Sequence, residues 1–102
     1  MASKLHPRQL LTIICEADLE RQLVSEFHRL GIGGHTITDA RGQGKHGDRD
    51  GLWPASANIR IEVLCESAVL DALLTLLEQQ YFKSYGLVVF VSEVSVLRSD
   101  RF

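Results

Sequence analysis

Apolar positions recur along the chain with two spacings, and those spacings alternate. Leu10–Cys15 (LLTIIC) is a short, bounded apolar run that reads as a central strand buried on both faces. Asp18 is a favoured N-cap type, and from there Leu19, Leu23, Phe27 and Leu30 recur at helical spacing, predicting a helix with one apolar stripe. Gly31 supplies the permissive backbone that ends helices, and Gly33-Gly34 turns the chain into a second strand opening at His35–Thr38. Over Ala57–Cys65 the period changes to two: Ile59, Ile61, Val63 and Cys65 face one way, Asn58, Arg60 and Glu62 the other. Ser67 is expected to cap a second helix, whose wide apolar face holds Val69, Leu70, Leu73, Leu74, Leu76 and Leu77 and ends near Tyr81. YFKSYG reads as a turn, Leu87–Leu97 as a last strand apolar on both faces through Phe90, and RSDRF as a polar tail.

The element order is β-α-β-β-α-β, so the fold class is α+β with a ferredoxin-like arrangement. Two helices can cover one face of a four-stranded sheet, yet the first and last strands carry apolar side chains on both faces. An isolated chain would leave an apolar patch larger than monomers usually tolerate. The second face is therefore expected to pack on other copies in a closed homo-oligomer.

Between the second and third strands lies a long polar stretch holding Gly42, Gly44, Gly47 and Gly51, interleaved with Lys45, His46, Asp48, Arg49 and Asp50. Loops of this length in a compact domain are uncommon and are usually functional or disordered. This loop is expected to bind ligand and partner while the rest of the chain positions its base.

Composition narrows the function classes. At 102 residues the chain is expected to be a single domain, and its net charge of −2 gives no electrostatic footprint for nucleic acid. No apolar run approaches the ~18 residues of a membrane span, and the N-terminus lacks the apolar stretch of a signal peptide. The expectation is a cytoplasmic protein without direct membrane insertion. Cys15 and Cys65 are too few for a disulfide framework or a zinc site; they read as buried thiols, with a redox pair open if the two strand ends are neighbours.

The segment ARGQGKHG is the best ligand candidate. Its glycines let backbone N–H groups approach an anion, and Arg41 and Lys45 add positive charge. The spacing is neither that of a dinucleotide fingerprint nor that of a Walker loop, and a plain flexible glycine loop is the competing reading. His6, His28, His35 and His46 show no metal-ligand spacing, and no Ser/His/Asp set, close carboxylate pair or activated cysteine can be assembled, so no catalytic residue is assigned. Trp53-Pro54 is either an anchor for the loop or a partner hot spot. Glu62 is a solvated carboxylate unless a ligand hydroxyl faces it.

GHTITDARGQGKHG, a long loop and then ANIRIEVLCES together resemble the PII signal-transduction proteins. In that family a Gly-x-Thr segment leads through Gly-x-Gly into a flexible T-loop, here about residues 43–57, and a strand carrying Glu returns from it. The likeness runs from Leu10 to Arg98 within one PII-like domain, 1–102. Ser84-Tyr85-Gly86-Leu87 stands where nitrogen-regulatory members carry a Gly-Asp-Gly-Lys turn, so their phosphate-binding lysine is missing, and so is the T-loop tyrosine that many of them modify. The short-turned variant is similar to the PII-like branch associated with inorganic-carbon uptake and carboxysomes.

The resemblance implies a homotrimer binding adenine nucleotides in clefts between subunits. On it, Thr36 lies near the adenine, and Gly42, Gly44 and Lys45 match the T-loop base that cradles the phosphates; Gln43 and His46 sit among them without matching residue types, and Arg41 is added to the site for its charge. Glu62 and Leu64 line base and ribose, Arg98 matches a C-terminal arginine that reaches phosphates across the interface, and Gly86 and the adjacent Arg101 are counted with the site. Asp100 stands where a second arginine is expected, and Asn58 replaces a lysine tied to 2-oxoglutarate. With that cationic set reduced, ADP or AMP is expected over ATP, with a small anion such as bicarbonate beside Arg41 or Lys45 as a second input. Such a protein is a switch rather than an enzyme, with no catalytic cofactor and no metal. Its T-loop would dock on a bicarbonate transporter or a carboxysome-related protein. The rivals are nitrogen-regulatory PII-type signalling, a small nucleotide-processing enzyme using His46 or Glu62, and a metal-tolerance protein of similar trimeric fold. Nucleic acid is disfavoured, because the first and third strands lack the aromatic pair on which bases stack.

Overall fold

The computed structural model describes residues 4–44, 47–48 and 57–97. Its core is a four-stranded sheet with two helices, the ferredoxin-like α+β fold expected from the element order. β1 (His6–Glu16) is central; after a 3₁₀ turn (Ala17–Leu19) come α1 (Glu20–Arg29) and β2 (Thr36–Ala40). Two short strands follow, β3 (Gln43–Gly44) and β4 (Gly47–Asp48), then β5 (Asn58–Cys65), α2 (Ser67–Gln80) and β6 (Val88–Val96). The sheet order is β2-β5-β1-β6, antiparallel throughout.

Alternation decides which face is covered. Leu11, Ile13 and Cys15 of β1 join Ile59, Ile61, Val63 and Cys65 of β5 in one buried cluster with Leu19, Leu23 and Phe27 and with Leu70, Leu73, Leu76, Leu77 and Tyr81. Burying each such aliphatic or aromatic side chain is worth roughly 1.5–3 kcal/mol, so this layer dominates stability. On the opposite face stand Leu10, Thr12 and Ile14, Arg60, Glu62 and Leu64, and Val88 and Phe90. Val88 and Phe90 remain 43% and 42% exposed, which is the apolar excess that the sequence pattern implies. Thr12 is fully buried on this face, and its Oγ1 has no hydrogen-bond partner among the described residues.

Several boundaries differ from expectation. β1 starts at His6 rather than Leu10, because its polar first residues pair with the end of β6, His6 opposite Val96. Asp18 does not cap α1: it lies inside the 3₁₀ turn, and neither that turn nor the helix has a side-chain cap. Ser67 is the first residue of α2 rather than its cap; Glu66 holds that place in extended conformation without a side-chain bond. Asn58, assigned to the polar face, is buried at the sheet end where it pairs with Glu16 and Ala40.

The end of α1 is as expected. Gly31 has φ +76°, and its N–H donates to the His28 carbonyl while that of Ile32 donates to Phe27, closing a Schellman motif. Gly31→Ala is expected to cost about 1 kcal/mol, since a Cβ at this φ meets its own carbonyl rather than any neighbour. Thermal denaturation checks it; an unchanged midpoint would mean the turn re-forms with negative φ.

The two cysteines cannot pair. Both are buried on the helix side and neither is in a disulfide, but Cys15 lies opposite Ile59 while Cys65 lies opposite Gln9, six positions back along β1. At ~3.4 Å per residue that is roughly 20 Å, far beyond the ~4.4–6.8 Å between Cα atoms of a disulfide. The strands are antiparallel, so their C-terminal ends lie at opposite ends of the sheet. Burial also pushes the Cys65 thiol up from its ordinary value, away from the reactive thiolate.

Candidate functional site

The uncovered face of the sheet carries a small cleft at one end. It encloses about 250 Å³ and is lined by Leu10, Gly34, His35, Thr36, Glu62 and Leu64. Strand pairing builds it: Thr36 lies opposite Glu62, and Leu10 opposite Leu64, so one cross-strand pair is polar and the next apolar. Thus Thr36, Glu62 and Leu64, separated by a long loop in sequence, meet in one place. Two larger hollows, about 600 and 540 Å³, flank α1 and hold none of the predicted site residues.

The remaining predicted residues fall into four groups. Arg41 and Gly42 follow β2 directly and are exposed at the loop base. Gln43 and Gly44 form β3, which pairs with Gly47–Asp48, so the glycine segment folds back on itself where plain loop was expected. Gly86 precedes β6, at the sheet edge opposite β2, and the chain does not bring it to the cleft. Lys45, His46, Arg98 and Arg101 lie outside the described residues, as do Trp53 and Pro54. The return of the loop is fixed by backbone: the Ala17 N–H donates to the Ala57 carbonyl at 2.7 Å, tying the start of β5 to the 3₁₀ turn.

Sequence reasoning does not assign Leu10, Gly34 or His35 to the site. By pattern Leu10 is core of a two-sided strand, and only register shows that it flanks Leu64 on the open face. The His35 ring packs against Phe27 with centroids 5.7 Å apart, which holds the entry to β2 against α1. The signal that could have found Gly34 is the Gly-His-Thr segment itself.

The cleft mixes one carboxylate, one hydroxyl and two leucines, so it can seat a flat, partly apolar group and accept hydrogen bonds from it. Its volume falls below the ~300–1,000 Å³ of pockets that enclose drug-sized ligands. No three His, Cys, Asp or Glu side chains cluster to hold a metal among the described residues. Among the same residues no helix is long and apolar enough to cross a membrane.

Residues 8–101 match the family Nitrogen regulatory protein P-II. Among solved structures, a provisionally named PII-like signalling protein from Thermus thermophilus is 39% identical, with TM-score 0.82 over 97% of this chain and 98% of that one. CPII from Thiomonas intermedia, bound to ADP and bicarbonate, is 31% identical with TM-score 0.87 over 99% of each chain. The same protein bound to ADP, AMP and bicarbonate superposes equally well at 30% identity, over 99% of this chain and 98% of that one. No curated protein matches the sequence. Fold, element order and a match over nearly the whole length agree: the chain belongs to the nitrogen regulatory protein P-II family.

Proposed function

We propose that this chain is a single-domain PII-like regulator that forms a homotrimer and binds ADP or AMP at the Thr36–Glu62–Leu64 cleft. The observation that carries this reading is the meeting of those three residues on the sheet face that no helix covers. The ligands of CPII, similar along the whole chain, support the choice of nucleotide. Adenine fits between Leu10 and Leu64, and phosphates run toward Arg41 and the glycines of the loop base. Gly86, Arg98 and Arg101 of a neighbouring copy complete the pocket, which explains why one chain encloses so little of it.

Nucleotide phosphates at Gly42–Lys45 favour one ordered arrangement of the T-loop and so change what it can dock against. A bicarbonate ion beside Arg41 or Lys45 is the second input. The output is control of inorganic-carbon uptake or of carboxysome function, through a transporter or carboxysome-related partner that the T-loop contacts. Nothing in this cycle needs a catalytic residue. A nitrogen-regulatory role is the second reading, favoured by the family match itself; the buried Asn58 in place of a lysine argues against 2-oxoglutarate as ligand.

Thermal shift and calorimetry with AMP, ADP, ATP, 2-oxoglutarate and bicarbonate test the reading. ADP or AMP at ~100 times its Kd is expected to stabilise the fold by about 2.7 kcal/mol, with ATP weaker. ADP affinity is expected to change when bicarbonate is added. Stabilisation by 2-oxoglutarate would favour the nitrogen role, conversion of ADP to product would make the protein an enzyme, and no response to any adenylate would end the proposal.

A further inference from the structure

Arg60 belongs to none of the ligand sets above, yet on the open face it has both an ionic and an aromatic partner. Its Nη2 lies 3.3 Å from Glu62 Oε2, two residues along β5, and its guanidinium sits 5.9 Å from the centroid of the Phe90 ring on β6. To reach both, the side chain passes over Thr12, the residue that lies between Glu62 and Phe90 across the ladder. Thr12 is fully buried although no helix covers this face. Arg60 and Glu62 are themselves only 43% and 37% exposed at the side chain.

The consequence falls on Glu62. An unpaired glutamate at a cleft rim spreads over several rotamers. Here one carboxylate oxygen accepts from an arginine whose guanidinium also stands over an aromatic ring, and Oε1 has no partner among the described residues. A paired carboxylate accepts hydrogen bonds and donates none. The free oxygen, at the rim of the cleft with Thr36 opposite, therefore suits a donor on the occupant. On a nucleotide that donor is a ribose hydroxyl or the exocyclic amine of adenine.

We infer that Arg60 is a positioning residue for the nucleotide site: by holding one Glu62 oxygen it aims the other at a donor on the ligand, and so sets discrimination between nucleotides that carry that donor and those that lack it. The inference rests on the nucleotide reading above. Stability of the ion pair is not the point, since an exposed pair contributes little; orientation is, because a contact group held by its own partner loses less freedom on binding.

The test compares ADP with 2′-deoxyADP, 3′-deoxyADP and IDP by calorimetry, in the unaltered protein and in Arg60→Gln, Arg60→Lys and Glu62→Gln. The unaltered protein is expected to prefer ADP over one of the three analogues about tenfold, the effect of one hydrogen bond to a charged acceptor. Arg60→Gln should shrink that ratio to within about twofold while still binding the analogue, Arg60→Lys should restore part of it, and Glu62→Gln should also lose it. A general structural defect would weaken all four nucleotides together and leave the ratio unchanged. If ADP binds but Arg60→Gln keeps the full ratio, or the unaltered protein shows no preference, the positioning role is overturned and the nucleotide reading stands. If ADP does not bind at all, both fall.

Discussion

Phe27→Ala should lower the unfolding free energy by about 3–5 kcal/mol, the usual cost of deleting a buried aromatic ring. Phe27 is fully buried in the last turn of α1 and belongs with Leu23 and the strand residues to the main cluster. The space it leaves cannot close easily. On one side lies a sheet locked by cross-strand bonds, and on the other a helix whose end is fastened through the bond from the Ile32 N–H to the Phe27 carbonyl, 2.9 Å. The ring also supports His35, so its loss loosens the entry to β2 and one wall of the cleft. Against a total stability of ~5–15 kcal/mol the loss is severe, and a fall in Tm of roughly 15–30 °C is expected for a domain of this size. Thermal and urea denaturation at fixed protein concentration measure it, because the proposed assembly would make the midpoint concentration-dependent. A loss under ~1.5 kcal/mol would mean that the core refills, and that the packing assigned to α1 is wrong.

Val88→Glu should leave the chain folded and abolish the proposed trimer. Val88 opens β6 on the face without helices, opposite Ile14, and is 43% exposed in the single chain. A glutamate there is solvated in the isolated protein, where surface substitutions usually move stability by no more than ~0.5 kcal/mol. Pressed against a second copy, the same carboxylate is desolvated with no cation assigned to it, which costs several kcal/mol at each contact. The variant is therefore expected to sediment as an 11.4 kDa monomer with a normal far-UV spectrum. If a neighbouring copy completes the site as proposed, ADP affinity should fall together with assembly, by about a hundredfold or more for ~3 kcal/mol lost. Sedimentation at the unaltered mass would show that this face is not the contact. A monomer that binds ADP at full strength would show that a single chain completes the pocket.

Both results trace to how much of the molecule periodicity discloses. The apolar stripe of α1 and the two-residue alternation of β5 could be read directly, because helix and strand geometry map residue number onto direction. Burial of Leu19, Leu23 and Phe27, and of Ile59, Ile61 and Val63, follows that reading. Element ends were less legible. Capping depends on the φ and ψ of the residue before the helix, and Asp18 and Ser67 carry suitable side chains at positions the backbone has already committed to turn or helix.

By itself the sequence determined the four sheet strands, the two helices and their order, the covered face, the positive-φ stop at Gly31 and the residue types gathered at the loop base. These rest on local periodicity and on side-chain chemistry, which need no knowledge of neighbours. Only the tertiary structure decided register, and register places Thr36 against Glu62 and Leu10 against Leu64, holds Cys15 and Cys65 apart, and carries Arg60 over Thr12 to Glu62 and Phe90. A shift of one residue would send each of those side chains to the opposite face of the sheet. Pairing across strands distant in sequence is settled by the packing of the whole core, not by any stretch alone.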